Sequence, residues 1–411
     1  MAKIFPFKGL RPLNTYAKIV ATLPYDVVNT KEAAVQKDNP YHFYHVTRSE
    51  IDLPEYTDIH SEIVYKRAYE NLQRMIQEGV LVQDTDSAMF IYELTMNGHV
   101  QTGLVCGTAI DDYNKGLIKK HELTRHDKES DRINHINTTR AQTGIIFLAY
   151  RDIPSVTDIL NNWKQHHDTL YDFVADDGIT HRIWKINDTS VISDLQHIFD
   201  RDMPHSYIAD GHHRSAALSK LNARHADAAD NPFKVILSGF FPESELLIMD
   251  YNRVVKDLNG HTVTSFLEAL SKTFTVTIHQ SGTYKPAARH RFGMYLDGNW
   301  YELIAREGTY PGDVLNSLDV NILQNNILDG ILGIEDPRSN PRLDFVGGIR
   351  GIRALQELVD SGEAAVAFAC YPVSIQELFE VADSGNVMPP KSTWFEPKTR
   401  DGLLVLQTYE Q

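Results

Sequence analysis

The spacing of apolar and polar residues changes several times along the chain. Residues 58–79 carry Ile63, Ala68, Leu72 and Ile76 at helical spacing, with Gly79 placed as a C-cap. Residues 89–94 and 101–107 read as two strands, and Asn97-Gly98 between them is the dipeptide preferred in tight hairpins. Continuous apolar runs at 144–150 and 235–241 read as buried strands. Upstream, residues 19–23 read as a strand stopped by Pro24-Tyr25-Asp26, a helix starts near Thr30, and residues 41–46 alternate like a second strand. Downstream, helices at 264–273, 320–332 and 375–383 are interspersed with strands at 276–279, 291–296, 344–348 and 365–370. The pattern predicts an α/β (α+β) fold with mixed sheets. It divides into three units, 1–87, 88–255 and 256–411, with a boundary near Lys256. No repeat or low-complexity tract interrupts it.

One stretch stands apart: Ser206-Tyr207-Ile208-Ala209-Asp210-Gly211-His212-His213-Arg214-Ser215. It starts β-prone, turns on Asp210-Gly211, and enters a helical run marked by Ala216, Ala217, Leu218 and Leu221. A helix N-terminus attracts anions through its N–H groups and macrodipole. Carboxylates usually sit there, whereas here two imidazoles and a guanidinium do. A phosphate or carboxylate ligand explains that choice. The plain alternative is a turn with Asp210 as the cap. Zinc fits less well, because no further Cys or His stands at a ligand spacing.

A second informative segment is Lys119-Lys120-His121-Glu122-Leu123-Thr124-Arg125 and the charged run up to Arg132. Its second half reads as an exposed helix laced with ion pairs. His121-Glu122 differs, following directly on the apolar Leu117-Ile118 at an element boundary.

Composition narrows the function classes. The chain has 411 residues, 42% of them hydrophobic, and a formal net charge of -15. That balance disfavours binding to nucleic acid or to an anionic membrane surface. It leaves room for a small anion in a locally basic cleft. No run is long and apolar enough to span a bilayer, and the N-terminus has no signal-like apolar region. The two cysteines, Cys106 and Cys370, sit in apolar surroundings and read as buried thiols. A cytoplasmic location is expected, and nothing in the chain argues against a homodimer.

Five separated motifs resemble those of one family. They are Pro6-Phe7-Lys8-Gly9-Leu10-Arg11-Pro12, Pro24-Tyr25-Asp26-Val27-Val28, Lys120-His121-Glu122-Leu123-Thr124, Ala209-Asp210-Gly211-His212-His213-Arg214 and Met388-Pro389-Pro390-Lys391-Ser392-Thr393. Together they resemble the family catalogued as domain of unknown function 1015. The Asp-Gly-His-His-Arg motif is also similar to that of free serine kinases of the ParB/sulfiredoxin-like superfamily. That resemblance implies a central ParB-like catalytic unit, a nucleotide phosphate near Gly211, His212, His213 and Arg214, and an acidic residue corresponding to Glu122.

The implied chemistry is phosphoryl transfer to free L-serine, or its reverse from O-phosphoserine, with a nucleotide or pyrophosphate as donor, or phosphate as the counterpart. Such transfer depends on charge neutralisation and alignment. Glu122, Asp210 and His213 are the candidate catalytic groups, and Asp210 is the candidate ligand for Mg²⁺. Lys120, His121, Arg125, Lys391, Ser392 and Thr393 are candidates to extend the substrate and phosphate site, and a solvated surface role is the alternative for Lys120, Arg125 and Lys391. A phosphoserine phosphatase and a non-catalytic nucleotide-binding switch module are the other functions the motifs allow. The N- and C-terminal motifs are expected to reach the same cleft.

Overall fold

The computed structural model describes residues 2–228 and 230–408. The architecture is α/β with mixed sheets, and contacts group the chain into two compact units rather than three. The first comprises Met1–Lys120, Thr124–Leu246 and Pro397–Gln411; the second comprises His121–Leu123 and Leu247–Glu396. Tyr251–Val255 is a strand of the second unit's sheet, paired with Leu343–Gly347 and Val366–Ala369.

The first unit is built on a sheet of nine strands among the described residues. Across it run Ile118–Lys119, Ser206–Asp210, Ile146–Tyr150, Val235–Pro242, His99–Ala109, Met89–Met96, Thr180–Ile186 and Tyr171–Val174, with Ile4–Phe5 paired to His99–Ala109. Two neighbour pairs are parallel, Ser206–Asp210 with Ile118–Lys119 and Val235–Pro242 with Ile146–Tyr150. The predicted hairpin is present, with Met96 opposite His99 and both turn residues left-handed, Asn97 at φ 51° and Gly98 at φ 82°. Leu148, Ile208, Phe240 and Ile236 from neighbouring strands share one core with Leu195 and Phe199 of the helix Thr189–Asp202 and Leu218 of the helix His212–Arg224. The second unit carries an antiparallel six-stranded sheet among the described residues, with its own core around Phe266, Phe292, Leu303 and Phe368.

Several sequence expectations are corrected. Residues 19–23 do not form a strand; Ala17–Val20 is a short helix, and Thr22 makes an isolated bridge to Asp401. Residues 41–46 contain the helix Tyr44–Thr47, all four of whose residues are buried. Their β-prone side chains alternate, but packing on all sides decides the conformation. In the helix Glu62–Gln77 the buried face is Val64, Tyr65, Ala68, Leu72 and Met75, while Ile63 is 54% exposed. The expected helix at 320–332 is present as the α-helix Asp319–Leu323, continued by the π-helical run Gln324–Asp329. The charged run before Arg132 forms the helix His126–Thr139 as expected, yet Glu129, Asp131 and Arg132 are buried. This helix packs between Glu62–Gln77 and His212–Arg224, so ion pairs here are internal.

Candidate functional site

The strand Ser206–Asp210 ends at Gly211, and the helix His212–Arg224 starts there. Gly211 stands at φ +105°, a region costly for any residue with a Cβ. A Cβ on it would come within 3.3 Å of Arg214 Nε and of Ile146 Cγ1. With glycine as the capping residue, no side-chain oxygen caps the helix, and the first turn holds no acidic residue. The sequence therefore leaves the positive end of the dipole without a covalent anion.

Arg214 lies beneath this turn, 7% exposed. Its Nη1 donates to Ile145 O at 2.8 Å and its Nη2 to Asp210 Oδ2 at 2.6 Å. Its Nε, fully buried, donates to no group among the described residues. Gly144 makes room for the guanidinium, since a Cβ there would lie 2.7 Å from Nη1 and 2.4 Å from Asp401 Oδ1. Asp210 is held from its other side by Lys398, whose Nζ is 3.4 Å from Oδ1. Burial opposes the charge of Asp210, but Lys398 and Arg214 outweigh it and hold the carboxyl well below the usual range. Burial also works against the Arg214 cation, and Asp210 and Asp26 more than restore it.

Tyr25 reaches the same place. It lines a cavity of about 20 Å³ with Arg132, His135, Gly144, Arg214 and Asp401, and the Arg132 guanidinium stacks over its ring at 3.7 Å. Arg132 in turn forks onto Asp131 Oδ2 at 2.7 and 3.0 Å. Burial pushes the Asp401 carboxyl up to about 7; Arg214 opposes that shift and Asp26 reinforces it. Among the carboxyls beside Arg132, Arg214 and Lys398, burial pushes Asp401 upward, whereas Asp131 and Asp210 are held below the usual range.

Lys398 and Asp401 were not anticipated from the sequence. They arrive on the final segment, which returns to the first unit. Asp401 and Thr22 exchange backbone hydrogen bonds of 2.9 and 3.2 Å, and Leu406–Gln407 pairs with Ala141–Gln142. Arg400 fixes this segment by donating from Nε to His181 Nε2 at 3.1 Å and by an ion pair to Asp177. In sequence, Pro397-Lys398-Thr399-Arg400-Asp401 is indistinguishable from a solvated charged turn.

The remaining candidates divide. Lys120 is exposed and stacks over Tyr113 at 4.1 Å, in the first unit. Arg125 forms an exposed fork onto Asp127 at 2.9 and 3.2 Å. His212 is buried and His213 half-buried at the start of the helix. Arg11, from the first motif, pairs with Asp84 at 2.9 Å and is a packing contact. His121, Glu122, Lys391, Ser392 and Thr393 belong to the second unit. There the His121 carbonyl accepts from Met388 N at 2.8 Å, and its ring Nε2 lies 3.2 Å from Thr393 Oγ1. Ser392 Oγ donates to Pro389 O at 2.7 Å, and the Lys391 ammonium sits 5.9 Å from the centre of the Tyr251 ring. These bonds brace a turn; the terminal motif's hydroxyls are already engaged.

The donor set does not suit Asp210 as a resident Mg²⁺ ligand. Each of its oxygens already faces a cation, and no group of three or more metal-binding side chains occurs among the described residues. Among those residues, too, no helix is long and apolar enough to cross a membrane.

The fold places the chain among α/β proteins with mixed sheets, and its sequence motifs place it more narrowly. It belongs to the family described as protein of unknown function (DUF1015), whose model matches residues 4–321. A search of curated proteins gives no match. Among solved structures, the chain is similar to a mutant free serine kinase in complex with AMP, at 14% identity and a TM-score of 0.39 over 73% of this chain and 92% of that one. It is also similar to SbnI with C-terminal truncation from Staphylococcus aureus, at 12% identity and a TM-score of 0.37 over 74% and 87%. A conserved hypothetical protein from Pyrococcus furiosus gives 14% identity and a TM-score of 0.36 over 74% and 95%.

Proposed function

We propose that this protein is a small-molecule phosphotransferase acting on free L-serine or O-phosphoserine, with a nucleotide or pyrophosphate as the donor. The observation that carries this reading is the buried Arg214 Nε donor set against the uncapped turn at Gly211. An unpaired buried donor costs about 1–3 kcal/mol, more when charged, so one kept under a helix N-terminus supports an anionic ligand there. Arg214 acts in this reading through Nε and by setting the turn, because its other nitrogens hold Asp210 and Ile145. Asp210 organises the cations. Gly211 lets phosphate oxygens approach the backbone, and His212 and His213 donate to them.

In the transfer, a bond forms between the serine hydroxyl oxygen and phosphorus while the bond from phosphorus to the donor's leaving oxygen breaks. The hydroxyl proton passes to a carboxylate, a role we assign to Glu122. No step is assigned to a metal ion at Asp210. Mass spectrometry on serine or phosphoserine incubated with the purified protein and ATP, ADP, pyrophosphate or phosphate tests the reading. Phosphoserine formed from serine, or serine formed with phosphorylation of a nucleotide or of phosphate, supports it. Release of free phosphate alone would make the protein a phosphatase, and nucleotide binding without any product would make it a switch module. Glu122→Gln should lower turnover with donor affinity kept; turnover near that of the parent removes Glu122 as the base.

A further inference from the structure

His181 is a fully buried imidazole of the first unit, and its surroundings fix where its proton sits. It stands on the strand Thr180–Ile186, opposite Leu94 of Met89–Met96 and Phe173 of Tyr171–Val174. Residues two apart on a strand share a face, so Tyr92 lies diagonally beside it. The Phe173 ring covers it, with ring centroids 5.3 Å apart. Arg400 Nε donates to His181 Nε2 at 3.1 Å. A guanidinium has no acceptor, so Nε2 takes that bond through its lone pair. In the neutral imidazole the proton is then on Nδ1, which donates to Tyr92 Oη at 2.9 Å. The same oxygen accepts the backbone N–H of Arg400 at 3.2 Å. A proton on Nε2 would set a second cation against Arg400; burial and Arg400 together hold His181 well below its usual range.

Arg400 is the centre of the segment it belongs to. It is buried and forms an ion pair with Asp177. Three residues earlier, Pro397 O accepts from Gln101 Nε2 at 2.8 Å, and one residue later Asp401 exchanges backbone hydrogen bonds with Thr22. Between Pro397 and Arg400 lies Lys398, whose Nζ stands 3.4 Å from Asp210 Oδ1. Arg400 is therefore fixed between the two groups this segment brings to the site, Lys398 and Asp401. A buried imidazole that accepts from a guanidinium differs from an ordinary core histidine, because no protonated form of it can keep that bond.

We infer that His181 is a positioning residue: as the Nδ1–H tautomer it clamps Arg400, and through Arg400 the segment that sets Lys398 against Asp210. The consequence for phosphate binding rests on the phosphotransfer reading, whereas the clamp itself rests on the bonds around Arg400.

His181→Leu and His181→Gln on the full chain test this. A glutamine side-chain oxygen accepts near the position of Nε2, and leucine accepts nothing. Hydrogen exchange should show the amides of residues 397–405 opening about tenfold faster in His181→Leu and near the parent rate in His181→Gln. Calorimetry with inorganic phosphate should show about tenfold weaker binding for His181→Leu, largely restored in His181→Gln. Parent-like exchange in His181→Leu overturns the clamp, and so does an equal effect of both variants, since the acceptor would then be irrelevant. Faster exchange with parent-like phosphate affinity overturns the positioning role and leaves the phosphate site standing. If neither variant folds, nitrogen-15 NMR of the histidine-labelled parent decides. An Nδ1–H tautomer for His181, unchanged from about pH 5 to 8, supports the clamp, and an Nε2–H tautomer or a titration in that interval overturns it. If the parent binds no phosphate, the phosphotransfer reading falls, and exchange and NMR decide the clamp by themselves.

Discussion

Arg214 cannot be removed without breaking a buried ion pair. Arg214→Ala strands Asp210 beside Lys398 alone, and losing one partner of such a pair costs about 3–5 kcal/mol. Urea denaturation should show a loss of that order. Arg214→Lys is the sharper probe, since it keeps the charge but lacks both the fork and the Nε donor. It should fold while losing phosphate affinity by calorimetry; undiminished affinity would remove Nε from the site. Asp401 gives a prediction with a sign. Its folded pKa of about 7 lies above the ordinary 3.8. Its contribution to stability is complete below about pH 4 and is lost as pH rises through about 7. Asp210 behaves oppositely, contributing above 3.8 and failing only as pH falls through its lower folded value. Asp401→Asn should therefore raise the thermal midpoint more at pH 8 than at pH 5. An equal change at both pH values would mean that the Asp401 carboxyl is not raised by burial.

The decisive element is the strand, turn and helix from Ser206 to Arg224. Gly211→Ala forces a Cβ into the left-handed region and against Arg214 Nε and Ile146. Strain of that type costs about 1–3 kcal/mol, and phosphate binding should fall as well. Guanidinium titration and phosphate calorimetry on this variant test both effects; parent-like stability would show that the turn can relax. The hairpin at Asn97-Gly98 and this turn were both readable in sequence, because the need for positive φ is written into glycine and asparagine themselves. The burial of Glu129, Asp131 and Arg132 was not. A helix dense in charge looks exposed until two other helices close on it and the charges pair internally.

At the scale of the molecule, the final segment completes the first unit. Leu403, Leu404 and Val405 are fully buried, and they seat the segment that carries Lys398 and Asp401. Leu404→Ala should cost about 2–5 kcal/mol. If it also lowers phosphate affinity, the segment's seating sets the site; parent-like affinity at full folding would confine Leu404 to stability. The long-range placement of this segment has no local signature in sequence, since no local pattern announces a return across the chain.

By itself the sequence determined the mixed α/β class, the main strands of both sheets, the turn at Gly211 and the membership of Tyr25 and Arg214 among the chemically informative residues. Those features rest on local rules: the period of apolar residues, the conformational freedom of glycine, and the side-chain types beside a helix start. Only the tertiary structure decided that Arg214 is clasped by Asp210, that Lys398 and Asp401 complete the charged group, and that Glu122 and the terminal motif lie in the second unit. Each of these depends on contacts between residues far apart in the chain. Their energies come from burial and from the cancellation of opposite charges, neither of which has a periodic signature in sequence.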